Sequence, residues 1–282
     1  MHHITGRLSL VMVLAAGTSA VAQTLPTSQP NVIQIYREEV KAGHDADHAK
    51  TEAAVVAAFE KAKFPYFSIG LASVTGQPEA WFVLPAESHA ALGDVIKRLG
   101  DEPLATEFAR LTRADAEHIN SVRIIEAAAR KDLSRGAFPD AGKQRFYEIT
   151  VFRVRPGHEG EFTAAGKAYG AAAGRSAPAT NYRVYEVTAG MPTPTFLIFS
   201  SMVSYGEIDK IMSDGDATMK GATPEEMAAL QKFSTDALIS QETFRFRLDP
   251  DMSYVPKEVR AQDPGFWMAK KPAAPKKPTS DH

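Results

Sequence analysis

The sequence predicts an α+β protein made of two copies of one unit, each an antiparallel sheet with helices on one face. Two observations indicate this fold class: a self-match at a fixed offset, and the same order of predicted elements in both halves. The offset is 114 residues, and it aligns three turn positions in the pairs Gly43 and Gly157, Gly76 and Gly190, and Pro78 and Pro192.

The composition is that of a globular protein without an unusual charge. The 282 residues are 44% hydrophobic and 23% charged, which is enough for two cores of about 100 residues each. The formal net charge of −2 carries no basic excess, so nucleic acid is not an expected partner. Cysteine is absent, which excludes disulfides, thiolate metal ligands and a cysteine nucleophile.

The first 22 residues have the pattern of an export signal. Arg7 precedes the short apolar run Leu8–Ala16, and the small residues Ala20 and Ala22 precede Gln23. The apolar run is shorter than the ~20 residues that span a bilayer, so cleavage is favoured over a membrane anchor. We therefore expect a periplasmic or secreted protein that begins at Gln23 and has no membrane span.

The first unit is predicted over residues 31–126, after an unstructured leader at 23–30. A strand at Val32–Val40 precedes a helix whose apolar residues recur at helical spacing. Two strands follow, at 66–74 and 80–84, and then a helix with Ser88 as its predicted N-cap, a helix that opens at Asp101, and a strand at 121–126.

The second unit is predicted over residues 146–248, after a linker at 127–145. It repeats the order of strand, helix, two strands, helices and strand. Capping boxes at Ser204–Glu207 and Thr223–Glu226 mark two of its helices. Residues 249–282 are predicted to be an extended, partly disordered tail, basic and proline-rich from Lys270 to Pro278. Each unit thus has the ferredoxin-like βαββαβ order, and two such sheets in one chain are able to cover each other.

The segment Tyr147–Phe162 resembles the opening strand and helix of NIPSNAP-like and antibiotic-biosynthesis-monooxygenase-like proteins. These belong to the dimeric α+β barrel superfamily, in which two ferredoxin-like sheets face each other. The resemblance implies that this chain carries both halves of one intramolecular barrel. The superfamily includes cofactor-free monooxygenases, haem-handling enzymes, small aldol-type enzymes and proteins without known activity, so the fold leaves the function open.

A pocket inside the barrel, or between sheet and helices, is predicted from the polar faces of the strands. Arg245 alternates with Phe244 and Phe246, and Arg183 shares a strand face with Tyr185. Arginines on a covered sheet face need an acceptor, either a carboxylate such as Glu148 or Glu38, or a small anionic or aromatic ligand. The predicted lining consists of Tyr36, Trp81, Arg123, Arg183, Tyr185 and Arg245. A polar interior without a ligand is the alternative.

His44 and His48 lie one helical turn apart, a spacing that suits a transition metal. The second unit has His158 but Phe162 in place of His48, and the favoured interpretation is a polar helix start with dipole-compatible aspartates. No metal, cofactor or catalytic residue is assigned. The sequence therefore favours a small-molecule-binding barrel without strong catalysis, with a monooxygenase-like or haem-handling enzyme as the alternative.

Overall fold

Eight antiparallel strands close into one barrel in the computed structural model, which describes residues 25–268. The strands are β1 (Val32–Val40), β2 (Ile69–Ser73), β3 (Glu79–Ala86), β4 (Ile119–Ala129), β5 (Phe146–Val154), β6 (Arg183–Ala189), β7 (Thr195–Met202) and β8 (Leu238–Leu248). The helices are α1 (Asp45–Ala62), α2 (His89–Leu99), α3 (Leu104–Asp115), α4 (Glu159–Ser176), α5 (Glu207–Lys220), α6 (Pro224–Lys232), α7 (Lys257–Gln262) and α8 (Pro264–Trp267).

The strand order around the barrel is β1-β3-β2-β8-β5-β7-β6-β4. Strands from the first half of the chain are neighbours, as are those from the second half. The two groups join through the pairs β2–β8 and β4–β6. The α+β class and the closed antiparallel barrel are therefore confirmed.

The barrel interior is packed with apolar side chains. Trp81, Ile149 and Phe246 are all 0% exposed and belong to one continuous cluster with Ile35 and Leu197. Because side chains alternate along a strand, the arginines of β8 point outward when Phe246 points inward. The interior is therefore mainly apolar, as expected for eight strands, whose interior is just wide enough to be filled by side chains. The ion pair between Arg37 and Glu79 lies on the same inner face, beside Trp81.

Helices cover the outer face of both groups of strands. Phe64, Leu84 and Leu92 form a second cluster between the first sheet and its helices. Phe162, Phe196 and Phe233 belong to a third cluster on the second sheet.

The C-terminal segment departs from the expected extended tail. Residues 249–268 include α7 and α8, and Val255, Val259 and Trp267 join the cluster that fills the barrel. The Trp267 Nε1–H donates to the carbonyl of Gly142 at 3.1 Å. These apolar residues lie in very short helices and turns, so the sequence shows no hydrophobic periodicity from which their burial could be predicted. The basic run Lys270–Pro278 lies outside the described residues.

The chain before β1 also contacts the barrel. Residues 25–30 form no helix or strand, yet Gln29 is buried and its Nε2 donates to the carbonyl of Val184 at 3.0 Å. The predicted export signal, 1–22, lies outside the described residues. Within 25–268, every helix is too short or too polar to cross a membrane.

Two of the three predicted caps form. Ser88 accepts from the backbone N–H of Ala91, and Thr223 with Glu226 forms a complete capping box on α6. The box predicted at Ser204 is wrong, because α5 starts at Glu207 with Gly206 in the capping position.

Candidate functional site

A cavity of about 660 Å³ lies between the outer face of β5 and β7 and the helices α4, α5 and α6. Its wall is mostly apolar and aromatic, with Phe152, Phe162, Tyr169, Ile198 and Phe233 among the residues that form it. Its volume is in the range of small-molecule sites, which are mainly apolar with a few placed polar groups.

The sequence of α4 explains why space remains here. The face of α4 that meets the sheet carries small residues, including Ala165 and Gly166, which line the cavity. At Gly166 itself, part of this space is taken by Leu133 of the linker. A Cβ at Gly166 would lie 3.3 Å from a methyl carbon of Leu133.

Phe152, Phe162 and Phe233 form one aromatic wall of the cavity, and Phe162 stacks on a fourth ring, Phe196. The rings of Phe162 and Phe196 are stacked at 3.7 Å, with an interplanar angle of 11°. Phe233 packs on Phe162 at 5.5 Å and on Phe152 at 5.9 Å. Such aromatic pairs stabilise the folded state beyond the burial of their apolar surface, so these contacts help to hold the wall in place.

The charged groups of the lining are largely satisfied by the protein. Glu148 accepts from Arg245 Nε at 2.9 Å. Among the described residues that line the cavity, the one cationic side chain is Lys210, and it pairs with Asp214 at 2.6 Å. Burial raises the pKa of Tyr182 to about 12, so its hydroxyl is protonated at neutral pH. The cavity therefore suits a neutral aromatic molecule better than an anion.

The structure does not bring the six predicted site residues together. Trp81 and Tyr185 lie inside the packed barrel, and Trp81 Nε1–H donates to Glu79 at 2.7 Å. Tyr36 lies on the outer face of β1, while Arg123 is exposed. Arg183 and Tyr185 alone share a small cavity, of about 110 Å³, near residues 25–30.

Two of the three predicted arginines, Arg183 and Arg245, find acceptors within the protein. Arg183 donates to the carbonyls of Tyr182 at 2.7 Å and Gly136 at 3.0 Å, and also to those of Arg135 and Ala137. Its burial lowers the pKa of the Arg183 guanidinium. Arg245 pairs with Glu148, which is the carboxylate that the sequence suggested. Anion recognition by these two arginines is therefore not supported.

A second group of interest lies on the first sheet, where Glu38, His48, Glu52 and Asp115 form a cluster. One potential ligand atom from each lies within 4.8 Å of the others. Glu38 stands on the outer face of β1, His48 and Glu52 lie one turn apart on α1, and Asp115 ends α3. The sequence singled out His48 but paired it with His44, which instead contacts His118 at 3.1 Å.

The cluster is buried and its carboxylates are perturbed. His48 is 2% exposed, and its Nδ1 lies 2.9 Å from Asp115 Oδ1. Burial raises the pKa of Glu38 to about 7, with His48 opposing and Asp115 reinforcing the shift. Burial also raises the pKa of Glu52 well above its usual range. The sequence spacing of His48 and Glu52 was a usable signal. Glu38 lies on the preceding strand, and Asp115 comes from a distant part of the chain, 67 positions after His48.

Comparison with known proteins gives structural neighbours only. No family model matches the chain, and no curated protein matches it. A solved anthrone oxidase-like protein aligns with a TM-score of 0.54 and 14% identity, covering 79% of this chain and 92% of its own. A protein from Fusobacterium nucleatum, provisionally described as a monooxygenase, aligns with a TM-score of 0.53 and 10% identity. The alignment covers 78% of this chain and 93% of that protein.

A chlorite dismutase variant from Candidatus Nitrospira defluvii aligns less well, with a TM-score of 0.47 and 11% identity over 83% of this chain and 96% of its own. The two better alignments show the fold alone, since their identities are far below the level at which function transfers. The chain thus shares an α+β barrel fold with these two proteins.

Proposed function

We propose that this protein is an exported α+β barrel that binds a small, neutral, aromatic molecule between β5, β7 and α4–α6, without strong catalysis. The observation that carries the proposal is the cavity of about 660 Å³ with its wall of phenylalanines. Buried apolar surface provides the affinity, and the tyrosine and threonine hydroxyls provide orientation.

A cavity-filling variant tests this proposal. The probe is N-phenyl-1-naphthylamine, a neutral aromatic dye whose fluorescence rises in apolar sites. Ile198 lines the cavity, so Ile198→Trp is expected to weaken dye binding at least tenfold. The matched control is Ile124→Trp, at a 47% exposed strand position in the first half, which is expected to bind as the unchanged protein does. Equal binding by both variants would contradict the proposal.

We further propose that the barrel is a tandem repeat of two ferredoxin-like units related to NIPSNAP-like and antibiotic-biosynthesis-monooxygenase-like proteins. Both halves have the order strand, helix, two strands, two helices, strand, which supports duplication. The repeated positive-φ glycines at 43 and 157 and at 76 and 190 support it further, because only glycine adopts φ near +85° freely. The strand order is also the same in the two halves, β4-β1-β3-β2 and β8-β5-β7-β6. A superposition of β1–β4 on β5–β8 that leaves α1 and α4 in different places would contradict the proposal.

Export is part of the proposal and rests on residues 1–22 alone. N-terminal sequencing of protein from fractionated cells provides the test. The expected result is a chain that starts at Gln23 outside the cytoplasm. An intact Met1 in the cytosolic fraction would contradict export.

A monooxygenase acting on an aromatic substrate is the second candidate. It is favoured by the apolar, aromatic cavity together with a fold shared with proteins described as a monooxygenase and as anthrone oxidase-like. Oxygen consumption with anthrone or quinol-like substrates tests this candidate. Turnover that Ile198→Trp abolishes would favour the monooxygenase over a protein that only binds its ligand.

The cavity does not fit a haem. Among its described lining residues there is no histidine, cysteine or methionine. Tyrosine is the remaining common haem ligand, and it binds iron as the phenolate. Burial raises the pKa values of Tyr169 and Tyr182, which opposes that ionisation. A haem-handling role is therefore not part of the proposal.

A further inference from the structure

We propose that Glu38, His48, Glu52 and Asp115 form a binding site for one divalent first-row transition metal ion. The site lies between β1, α1 and α3, and the inference is independent of the cavity proposed above to bind an aromatic molecule. His48 Nε2 and the carboxylates of Glu38 and Glu52 would bind the ion, and Asp115 would orient the imidazole.

The contacts of Asp115 fix which nitrogen of His48 is free. Asp115 Oδ1 lies 2.9 Å from His48 Nδ1, and the hydroxyl of Thr51 contacts the same oxygen. A carboxylate accepts hydrogen bonds, so this network assigns the proton of the neutral imidazole to Nδ1. The lone pair of Nε2 then points into the cluster. A carboxylate on the second nitrogen is the usual support of a metal-binding histidine.

The free nitrogen faces another unpartnered atom. His48 Nε2 and Glu38 Oε2 are both buried and have no hydrogen-bond partner. They lie 3.7 Å apart, which is too far for a hydrogen bond between them. Two ligands of one metal ion, bound at about 2.1 Å, lie roughly 3.4 Å apart in a tetrahedral site. The observed separation thus needs only a small adjustment to accept an ion.

The charge of the cluster also calls for a cation. Three carboxylates converge in a region that is largely shielded from water, and the ion pairs among the described residues bring no lysine or arginine to them. Asp115 is in addition the last residue of α3, where the helix dipole disfavours a negative charge. Without a metal, these three carboxylates face one another and His48 without a cationic partner from a lysine or arginine among the described residues. A divalent ion would supply a cationic partner directly.

The ligand set selects the class of metal. One imidazole nitrogen with carboxylate oxygens suits Mn²⁺, Fe²⁺, Co²⁺ or Zn²⁺. Mg²⁺ and Ca²⁺ prefer oxygen ligands alone, and no thiolate is available for a soft ion such as Cu⁺. We therefore expect binding of Co²⁺ and Zn²⁺ without binding of Mg²⁺ at the same concentration.

The test is a titration of metal-free, full-length protein with Co²⁺ and Zn²⁺ alone. One equivalent of Co²⁺ is expected to produce visible absorption, and Zn²⁺ is expected to raise the melting temperature. His48→Phe removes the imidazole and is expected to abolish both effects. Phenylalanine is a mild replacement because Phe162 occupies the matching place in the other half. His158→Phe is the matched control and is expected to keep both effects.

Asp115→Asn provides a second variant, since it keeps the shape of the side chain. Loss of a supporting carboxylate typically weakens metal binding by about 10–100-fold, and we expect an effect of that size. The inference would be overturned if the unchanged protein bound no Co²⁺, or if His48→Phe and His158→Phe bound it equally. Binding of the aromatic dye is expected to be the same with and without metal, so the two proposals stand or fall separately.

Discussion

The two interfaces between sheet and helix place opposite chemistry at matching positions. Where β1 meets α1, the chain has Glu38, His48 and Glu52. In the second half, 114 residues later, it has Phe152, Phe162 and Gly166, all of which line the cavity. One backbone arrangement thus supports a compact polar cluster in the first half and an open apolar cavity in the second. The fold therefore determines where a site lies, whereas a few residues between sheet and helix determine what the site binds.

The largest expected effect comes from removing the aromatic wall of the second interface. Phe162 is 5% exposed and stacks on Phe196, so Phe162→Ala is expected to lower the free energy of unfolding by about 3 kcal/mol. Urea denaturation measures this change. Ile96→Ala, at a 58% exposed helix position, is the control and should stay within about 0.5 kcal/mol. Similar losses in both variants would show that the wall is not a packed structure.

The first interface should respond to the loss of a polar partner instead. Asp115→Ala relieves part of the carboxylate repulsion but leaves the Nδ1–H of buried His48 without its acceptor. The second effect is expected to dominate, with a net cost of about 1–2 kcal/mol in metal-free protein. Chemical denaturation with EDTA present measures it. The control is Asp216→Ala on the exposed side of α5, with an expected change below about 0.5 kcal/mol. An unchanged free energy of unfolding in Asp115→Ala would contradict the assigned hydrogen bond.

A smaller effect is expected for the ion pair beside the cavity. Arg245 and Glu148 are partly exposed, so Arg245→Met should lower the free energy of unfolding by less than about 1 kcal/mol. Dye binding should be unchanged, because Arg245 pairs with the protein and not with a ligand. A large loss of dye affinity in Arg245→Met would restore the arginine as part of the site.

The smallest effect distinguishes the helices that cover the two interfaces. Thr223 caps α6 over the cavity, whereas α3 has no side-chain cap. Thr223→Ala is therefore expected to cost about 0.5–1 kcal/mol in thermal unfolding. Ser204→Ala is a matched control with no expected loss, since Ser204 makes no cap on α5. Equal losses in the two variants would contradict the observed cap geometry.

Local signals predicted most of the fold. The strand Val32–Val40, the Ser88 cap and the Thr223 capping box all follow from patterns within a few residues, and each forms as expected. The prediction that Arg245 lies on the opposite strand face from Phe244 and Phe246 is also confirmed. The sequence could not say which of the two faces points into the barrel, because that depends on how the sheet closes.

The sites depended on contacts between distant residues, which no local pattern contains. Asp115 meets His48 across 67 positions of sequence, and Arg245 meets Glu148 across 97. The cavity depends on where α4, α5 and α6 lie over β5 and β7, which is a property of helix placement. The packed segment around Trp267 escaped prediction for a similar reason, since its partners lie in the barrel and in the linker.

One crystal structure tests the contrast between the two interfaces most directly. Crystals grown with Co²⁺ and N-phenyl-1-naphthylamine would be measured at a wavelength where cobalt scatters anomalously. One anomalous peak is expected next to His48 Nε2 and Glu38, together with dye density against Phe162 and Phe233. An empty cluster with cobalt only on the surface, or dye bound elsewhere with the cavity closed, would contradict this expectation.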